Sequence, residues 1–263
     1  MPALQILMRT ELFYNPLLLL ERLGQWAVTK QRLRKLRSTV ASQLTTGHID
    51  SLELLEMLRP LNPQVIYDIG ANVGTWTLLC KALYPKAQIH AFEPLPLHIE
   101  KFKQLTTSLT GVSLHEIGLG AYPTRTTLKV TDFSDASSVL SLSERGKRQW
   151  HLEQVAEIPV QIERLDDWVS SRNLPSPELI KMDVQGYELE VLRGAERCLA
   201  QAKWVLLEVS FKNFYEGQCR FDQIVDFLAS AGFQVSAFGH GTALGRPLVQ
   251  SDVLFIKSSL DSI

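Results

Sequence analysis

From Pro63 onward one pattern repeats: a short apolar run, then a stretch with helical spacing, then another apolar run. The spacing predicts strands at Val65–Ile69, Gln88–Phe92, Val112–Glu116, Leu179–Asp183, Trp204–Val209, Phe233–Phe238 and Asp252–Lys257. Between them it predicts helices at Thr75–Leu83, Leu97–Thr107, Tyr187–Ala200 and Phe221–Ala231. In the third helix Leu189, Leu192 and Ala195 separate from Arg193 and Glu196 into an apolar and a charged face. Strands that alternate with helices form a mostly parallel sheet covered on both faces, which is an α/β fold. The last two strands are joined only by GHGTALGRPLVQS. Without a crossover helix, the final strand is expected to run antiparallel to its neighbours.

Two segments depart from this rhythm. Between Ala121 and Leu165, TTLKVTDF and AEIPVQIERL look extended and flank the polar stretch DASSVLSLSERGKRQW. They read as inserted strands and a polar loop. Residues 1–60 form a leucine-rich helical segment, with Leu33, Leu36, Val40 and Leu44 at helical spacing. Met1 to Thr45 holds seven bases and two acids, a charge of +5 in a chain that sums to −1. Such a start is either a helical cap on the main domain or a surface for an anionic membrane or partner.

Composition closes off other classes. Of 263 residues, 45 % are hydrophobic and 21 % charged, enough for a sizeable core and too ordinary for disorder or a fibre. Near-neutral charge removes the electrostatic case for nucleic acid. Cys80, Cys198 and Cys219 are odd in number and, like His98 and His115, lack metal-ligand spacing, so no metal is expected. The apolar run Leu17 to Leu20 ends at Glu21 and Arg22, far short of a membrane span. MPALQILMRTEL has no secretory character, so a cytoplasmic location is expected.

The densest local signal is VIYDIGANVGTWTLL, residues 65–79: a strand, a glycine turn, then a helix. Gly70 and Gly74 allow a tight turn and close approach of a ligand, and the helix start offers free amides. Dinucleotide sites use G-x-G-x-x-G, whereas here Asn72 stands where the middle glycine would be. Glu93, ending the second strand in IHAFEP, can accept both ribose hydroxyls of a nucleoside or can cap a helix. Asp68, Glu93, Asp183 and Glu208 all fall near strand ends. A rim of carboxylates suits a cationic sulfonium nucleoside and repels a pyrophosphate.

VIYDIGANVGTWTLL, AFEP, LIKMDVQGYELEVLRGAE and LLEVS, in this order, resemble the FkbM-type methyltransferase family from about Pro63 to the C-terminus. The resemblance implies a class I methyltransferase domain over residues 61–263, Rossmann-like, with seven strands and the last antiparallel. It implies S-adenosylmethionine as methyl donor and a hydroxyl oxygen as acceptor. It assigns Asp68, Gly70, Asn72 and Gly74 to the methionine end of the donor and Glu93 to its ribose. Ile117 and Gly118 correspond to the adenine side, where Ala121 replaces a frequent aspartate. Gln185 replaces a frequent glutamate.

Transfer to oxygen needs acceptor, methyl and sulfur in line, and a group to take the hydroxyl proton. Asp183, at a strand tip, is placed either for this or for capping the next helix. Glu208 is the second candidate and His240, in FGHG, the third. Glu188 sits in a first helical turn, where its charge is favourable. Phe211, Phe214 and Tyr215 either wall the acceptor or pack the following helix. Ser137 and Ser138, in DASSVL, are expected on the acceptor side. The function expected is O-methylation of a small hydroxylated molecule such as a sugar, glycolipid or polyketide intermediate. The alternatives are a nicotinamide-dependent oxidoreductase and a non-catalytic S-adenosylmethionine-binding protein.

Overall fold

Period-two burial builds the central sheet: within each strand, one set of side chains packs under one helical layer and the other set under a second. The computed structural model describes residues 16–239 and 248–260. Its strands are β1 (Val65–Ile69), β2 (Gln88–Phe92), β3 (Val112–His115), β4 (Gly118–Leu119), β5 (Thr124–Thr131), β6 (Gln154–Glu163), β7 (Leu179–Met182), β8 (Trp204–Ser210), β9 (Phe233–Phe238) and β10 (Gln250–Lys257). The helices are α1 (Pro16–Leu36), α2 (Leu52–Leu58), α3 (Thr75–Leu83), α4 (Pro96–Thr106), α5 (Glu144–Trp150), α6 (Leu165–Ser171), α7 (Glu188–Arg193), α8 (Glu196–Gln201) and α9 (Phe221–Ser230). The main sheet has seven strands in the order β3-β2-β1-β7-β8-β10-β9. β1, β2, β3, β7 and β8 pair in parallel, while β10 runs antiparallel to both β8 and β9. This is the seven-stranded α/β sheet that the resemblance implies, and β10 is antiparallel as the missing crossover helix requires.

Tyr67, Ile180, Met182, Val205, Leu207, Val253 and Phe255 face a core completed by α7, α8 and α9. Ile66, Leu179, Trp204, Leu206 and Leu254 face the other way, onto α3 and the N-terminal residues. There α2 buries Leu52, Leu54, Leu55 and Leu58. Each fully buried leucine contributes about 2 kcal/mol, so residues 36–58 and the sheet share one core. Helix α1 stops at Leu36, where Thr39 turns its backbone N–H and its hydroxyl onto the Leu36 carbonyl. Val40 therefore leaves the helical register expected for it and is exposed, while Leu44 is buried from a turn. Among the described residues no helix is long and apolar enough to cross a membrane.

The insertion supplies β5 and β6, which with β4 just before it form a second, three-stranded sheet, β4-β6-β5. Its polar stretch is not all loop, because Ser143 caps α5 by accepting from the Gly146 N–H. The expected helix Tyr187–Ala200 is two helices. A Cβ at Gly194 would lie 2.1 Å from the Gly120 carbonyl oxygen, so the chain there is pressed against its neighbour. The helix restarts because Asp166 accepts from the N–H groups of Arg197 and Cys198 at 2.8 and 2.9 Å. A carboxylate thirty residues away supplies the cap.

Candidate active site

The glycine turn after β1 and the end of β2 are built as one unit. Gly70 has φ +73°, and a Cβ on it would lie 1.8 Å from the Asp183 carbonyl oxygen, so only glycine fits. The N–H groups of Gly70 and Ala71 both donate to the Phe92 carbonyl at 3.0 Å. This brings Glu93 against the turn. Its carboxylate accepts from the Asn72 N–H at 2.8 Å and the Leu95 N–H at 2.9 Å. A carboxylate has about four acceptor positions, so acceptor capacity remains for a ligand in the cleft that Glu93 lines. Asn72 caps its own turn, its Oδ1 accepting from the Val73 N–H at 2.6 Å.

The same cleft is lined by Gly70, Asn72, Ile117, Gly118, Asp183 and Gln185. His98, which the sequence offered only as a residue without metal spacing, lines it as well. Its Nδ1 is 3.5 Å from the Glu93 carboxylate, and its buried Nε2 has no hydrogen-bond partner within the protein. A buried polar nitrogen with no partner in the protein can exchange a hydrogen bond with a ligand in the cleft.

Asp68 stands behind this wall. It is fully buried, accepts from the Thr77 hydroxyl at 2.6 Å and lies 3.3 Å from Lys181 Nζ. Lys181 also donates to the Gly70 carbonyl at 3.2 Å and lies 3.9 Å from Asp183. Burial alone would lower the lysine's pKa, but the carboxylates of Asp68 and Asp183 outweigh it and hold the ammonium charged. The Asp68–Lys181 pair thus braces the turn from inside the sheet. Gly74, which begins α3, packs on the Phe102 ring and likewise does not line the cleft. Lys181 went unnoticed in the sequence, although a lysine inside the apolar run LIKM, two residues before Asp183, is a signal that it shares that residue's face.

Asp183 follows β7 directly, anchored by its N–H to the Ile69 carbonyl at 3.0 Å, and its side chain is one-third exposed. Gln185 donates to it at 2.7 Å and lies 3.3 Å from Glu208. The Gln185 carbonyl accepts from the Ser138 hydroxyl at 2.8 Å, and its side-chain oxygen lies 2.9 Å from the Tyr215 hydroxyl. Ser137 and Ser138 line the cleft. Phe214 and Tyr215 are buried with Leu142, Leu152 and Trp150, and Phe211 packs on Phe221. His240 lies outside the described residues.

Glu208 does not line the cleft. Antiparallel register sets it opposite Asp252, which accepts from the Ser51 hydroxyl at 2.6 Å. Burial, then the neighbouring carboxylates of Asp183 and Asp252, pushes Glu208 well above the ordinary carboxylate range. Burial likewise raises Asp252 to about 6, against the hydrogen bond from Ser51. Glu188 is buried at the start of α7 and is pushed up to about 7 by desolvation, although the N–H groups of Gly186 and Val184 donate to it. Of the four strand-end carboxylates, Glu93 and Asp183 therefore reach the cleft wall, while Asp68 and Glu208 lie behind it.

Several proteins of similar sequence carry methyltransferase names. The chain is 29 % identical over 238 residues to the 2-O-methyltransferase NoeI of Sinorhizobium fredii, covering 88 % of this chain and 94 % of that protein. It is 26 % identical over 145 residues to the hexuronic acid methyltransferase AglP of Haloferax volcanii, covering 55 % of each. To the 31-O-demethyl-FK506 methyltransferase FkbM of Streptomyces tacrolimicus it is 25 % identical over 203 residues, covering 68 % of this chain and 75 % of that one. A family model, the methyltransferase FkbM domain, matches residues 68–235, from the braced aspartate of β1 into β9. That match spans more than half of the chain and takes in the glycine turn, Glu93 after β2 and Asp183 after β7, so the chain belongs to the FkbM methyltransferase family.

Proposed function

We propose that this methyltransferase transfers the methyl group of S-adenosylmethionine to a hydroxyl oxygen of a small acceptor, with a sugar hydroxyl as the leading class. The observation that carries the reading is Glu93. It is held by two main-chain amides beside the glycine turn, with acceptor capacity left in a cleft that runs on to Asp183. The residues present fit the donor: Glu93 for the ribose hydroxyls, the turn at Gly70 and Asn72 for the methionine end, and Ile117 and Gly118 for the adenine. His98 Nε2 offers one further polar contact on the nucleoside side. Asp68 acts through Lys181 by holding the turn. When bound, S-adenosylmethionine supplies an electrophilic methyl group on a cationic sulfur, which a carboxylate-lined cleft favours.

Asp183 holds the acceptor hydroxyl and takes its proton, while Gln185 fixes the carboxylate's orientation. Glu208 stands behind, linked to Asp183 through the side-chain amide of Gln185. The relative named for 2-O-methylation favours an oxygen acceptor, and the one named for a hexuronic acid favours a sugar. The membership in a methyltransferase family sets the oxidoreductase alternative aside.

Calorimetry tests the donor assignment. Charge-assisted hydrogen bonds contribute roughly 1.5–3 kcal/mol, so Glu93→Gln is expected to weaken S-adenosylmethionine binding by about ten- to a hundredfold, with folding checked by circular dichroism. Absence of binding to the folded wild-type protein would overturn the reading. Labelled methyl transfer to a panel of sugars and other alcohols then tests the acceptor. Transfer confined to amines or thiols would refute the hydroxyl.

A further inference from the structure

The N-terminal helix α1 distributes polarity along its axis. Leu17 to Leu20, Leu23 and Trp26 fall in its first half, and Lys30, Arg32, Arg34 and Lys35 in its second. Arg32 is tied to Glu53 of α2, which fixes the helix against the domain. On another side, Trp26, Lys30 and Arg34 fall at i, i+4 and i+8, and Arg37 extends the stripe just past the helix end. This stripe faces residues 42–46 across a groove of about 610 Å³. The floor is Leu33 and Leu44, and no aspartate or glutamate lines it. Among the described residues, Lys30, Arg34 and Arg37 form no ion pair, and Lys30 Nζ lies 5.7 Å from the Trp26 ring. Leu23, Trp26, Val28 and Val40 leave 43–51 % of their surface exposed.

Exposed apolar surface rimmed by polar residues marks a place where a partner or a membrane docks, and here the rim is Lys30, Arg34 and Arg37. Charge asymmetry carries the argument further. Met1 to Thr45 carries +5 and the remaining 218 residues carry −6, so the molecule has a basic end and an acidic body. Near an anionic surface this orients the chain, drawing α1 in and pushing the sheet domain out.

From this unpaired basic and aromatic stripe we infer that α1 and the groove beside it dock the enzyme onto an anionic phospholipid surface. Lys30, Arg34 and Arg37 meet the phosphates. Trp26 settles at the headgroup level, where indole is favoured, and Leu23 enters the acyl boundary. The docking element lies outside the matched methyltransferase domain, so it acts on where the enzyme works and leaves the methyl-transfer chemistry to the cleft. It does not depend on the donor or acceptor assigned above.

Vesicle co-sedimentation of the full chain tests this, with phosphatidylcholine–phosphatidylglycerol vesicles against phosphatidylcholine alone. Each basic residue near an anionic leaflet is worth about 1 kcal/mol, so the combined change Lys30→Gln, Arg34→Gln and Arg37→Gln should weaken partitioning about a hundredfold. Raising salt from about 0.05 to 0.5 M should weaken wild-type binding steeply, because screening shortens to a few ångströms. Trp26→Ser should lower binding while keeping its salt dependence. An unchanged melting temperature separates lost docking from lost folding. Equal binding to both vesicle types, no binding, or full binding by the folded triple variant would overturn the inference. So would tighter binding to an RNA or DNA oligonucleotide than to the anionic vesicles, which would make nucleic acid the occupant.

Discussion

Lys181→Met tests the brace behind the glycine turn. The substitution keeps most of the side chain's length and removes its charge. The fully buried Asp68 carboxylate is then left with the Thr77 hydroxyl as its remaining donor. Removing one partner of a buried ion pair costs about 3–5 kcal/mol, because the other charge stays in the core uncompensated. In a domain of this size each kcal/mol shifts the melting temperature by roughly 2–4 °C, so a fall of about ten degrees is expected. Adding Asp68→Asn removes the second charge and should return most of the loss, since an uncharged buried pair is often as stable as the ion pair. Denaturant unfolding at neutral pH of the wild type, both single variants and the double variant closes a thermodynamic cycle. A coupling energy of at least about 2 kcal/mol is expected, in keeping with directly contacting residues. If Lys181→Met costs less than about 1 kcal/mol, or the double variant loses the sum of the singles, Lys181 is not the brace.

Two further outcomes rest on the neighbouring residues. Glu188 has its folded pKa raised to about 7 from an ordinary 4.5, so it favours the fold below the unfolded value and that stability is lost as pH rises through 7. Glu188→Gln should therefore match the wild type near pH 4 and exceed it by up to about 3 kcal/mol at pH 8; unfolding curves at both pH values check this, and equal pH dependence of the two proteins would refute it. Replacing Ser137 and Ser138 together by alanine should lower kcat/KM for the acceptor at least about tenfold, the effect of losing one or two hydrogen bonds, with donor affinity kept. Unchanged kcat/KM would place both serines away from the acceptor.

Much of the framework is legible locally. Four expected elements, Val65–Ile69, Gln88–Phe92, Phe233–Phe238 and Thr75–Leu83, carry the observed boundaries, because apolar periodicity and the flanking glycines act within a few residues. The break at Gly194 was not legible, because nothing in LEVLRGAERCLA breaks helical spacing sharply enough. Asp166, on another helix, supplies the cap. Likewise Val40 kept helical spacing on paper, while the turn at Thr39 removed it from the helix.

Sequence by itself determined the strands, the tight turn at Gly70 and the reversal of the last strand, since these follow from alternation, backbone freedom and the length of a connection. Only the tertiary structure decided which carboxylates face the cleft. Asp68, Glu93, Asp183 and Glu208 look alike as acids near strand ends, yet Glu93 and Asp183 line the wall while Asp68 and Glu208 stand behind it. Strand register sets Asp68 beside Lys181 and Glu208 opposite Asp252. Ser51 reaches Asp252 across 201 residues of chain. Charge at a strand end is a local property; whether it ends in an ion pair, beside another carboxylate or on the cleft wall is set by strands and helices distant in the chain.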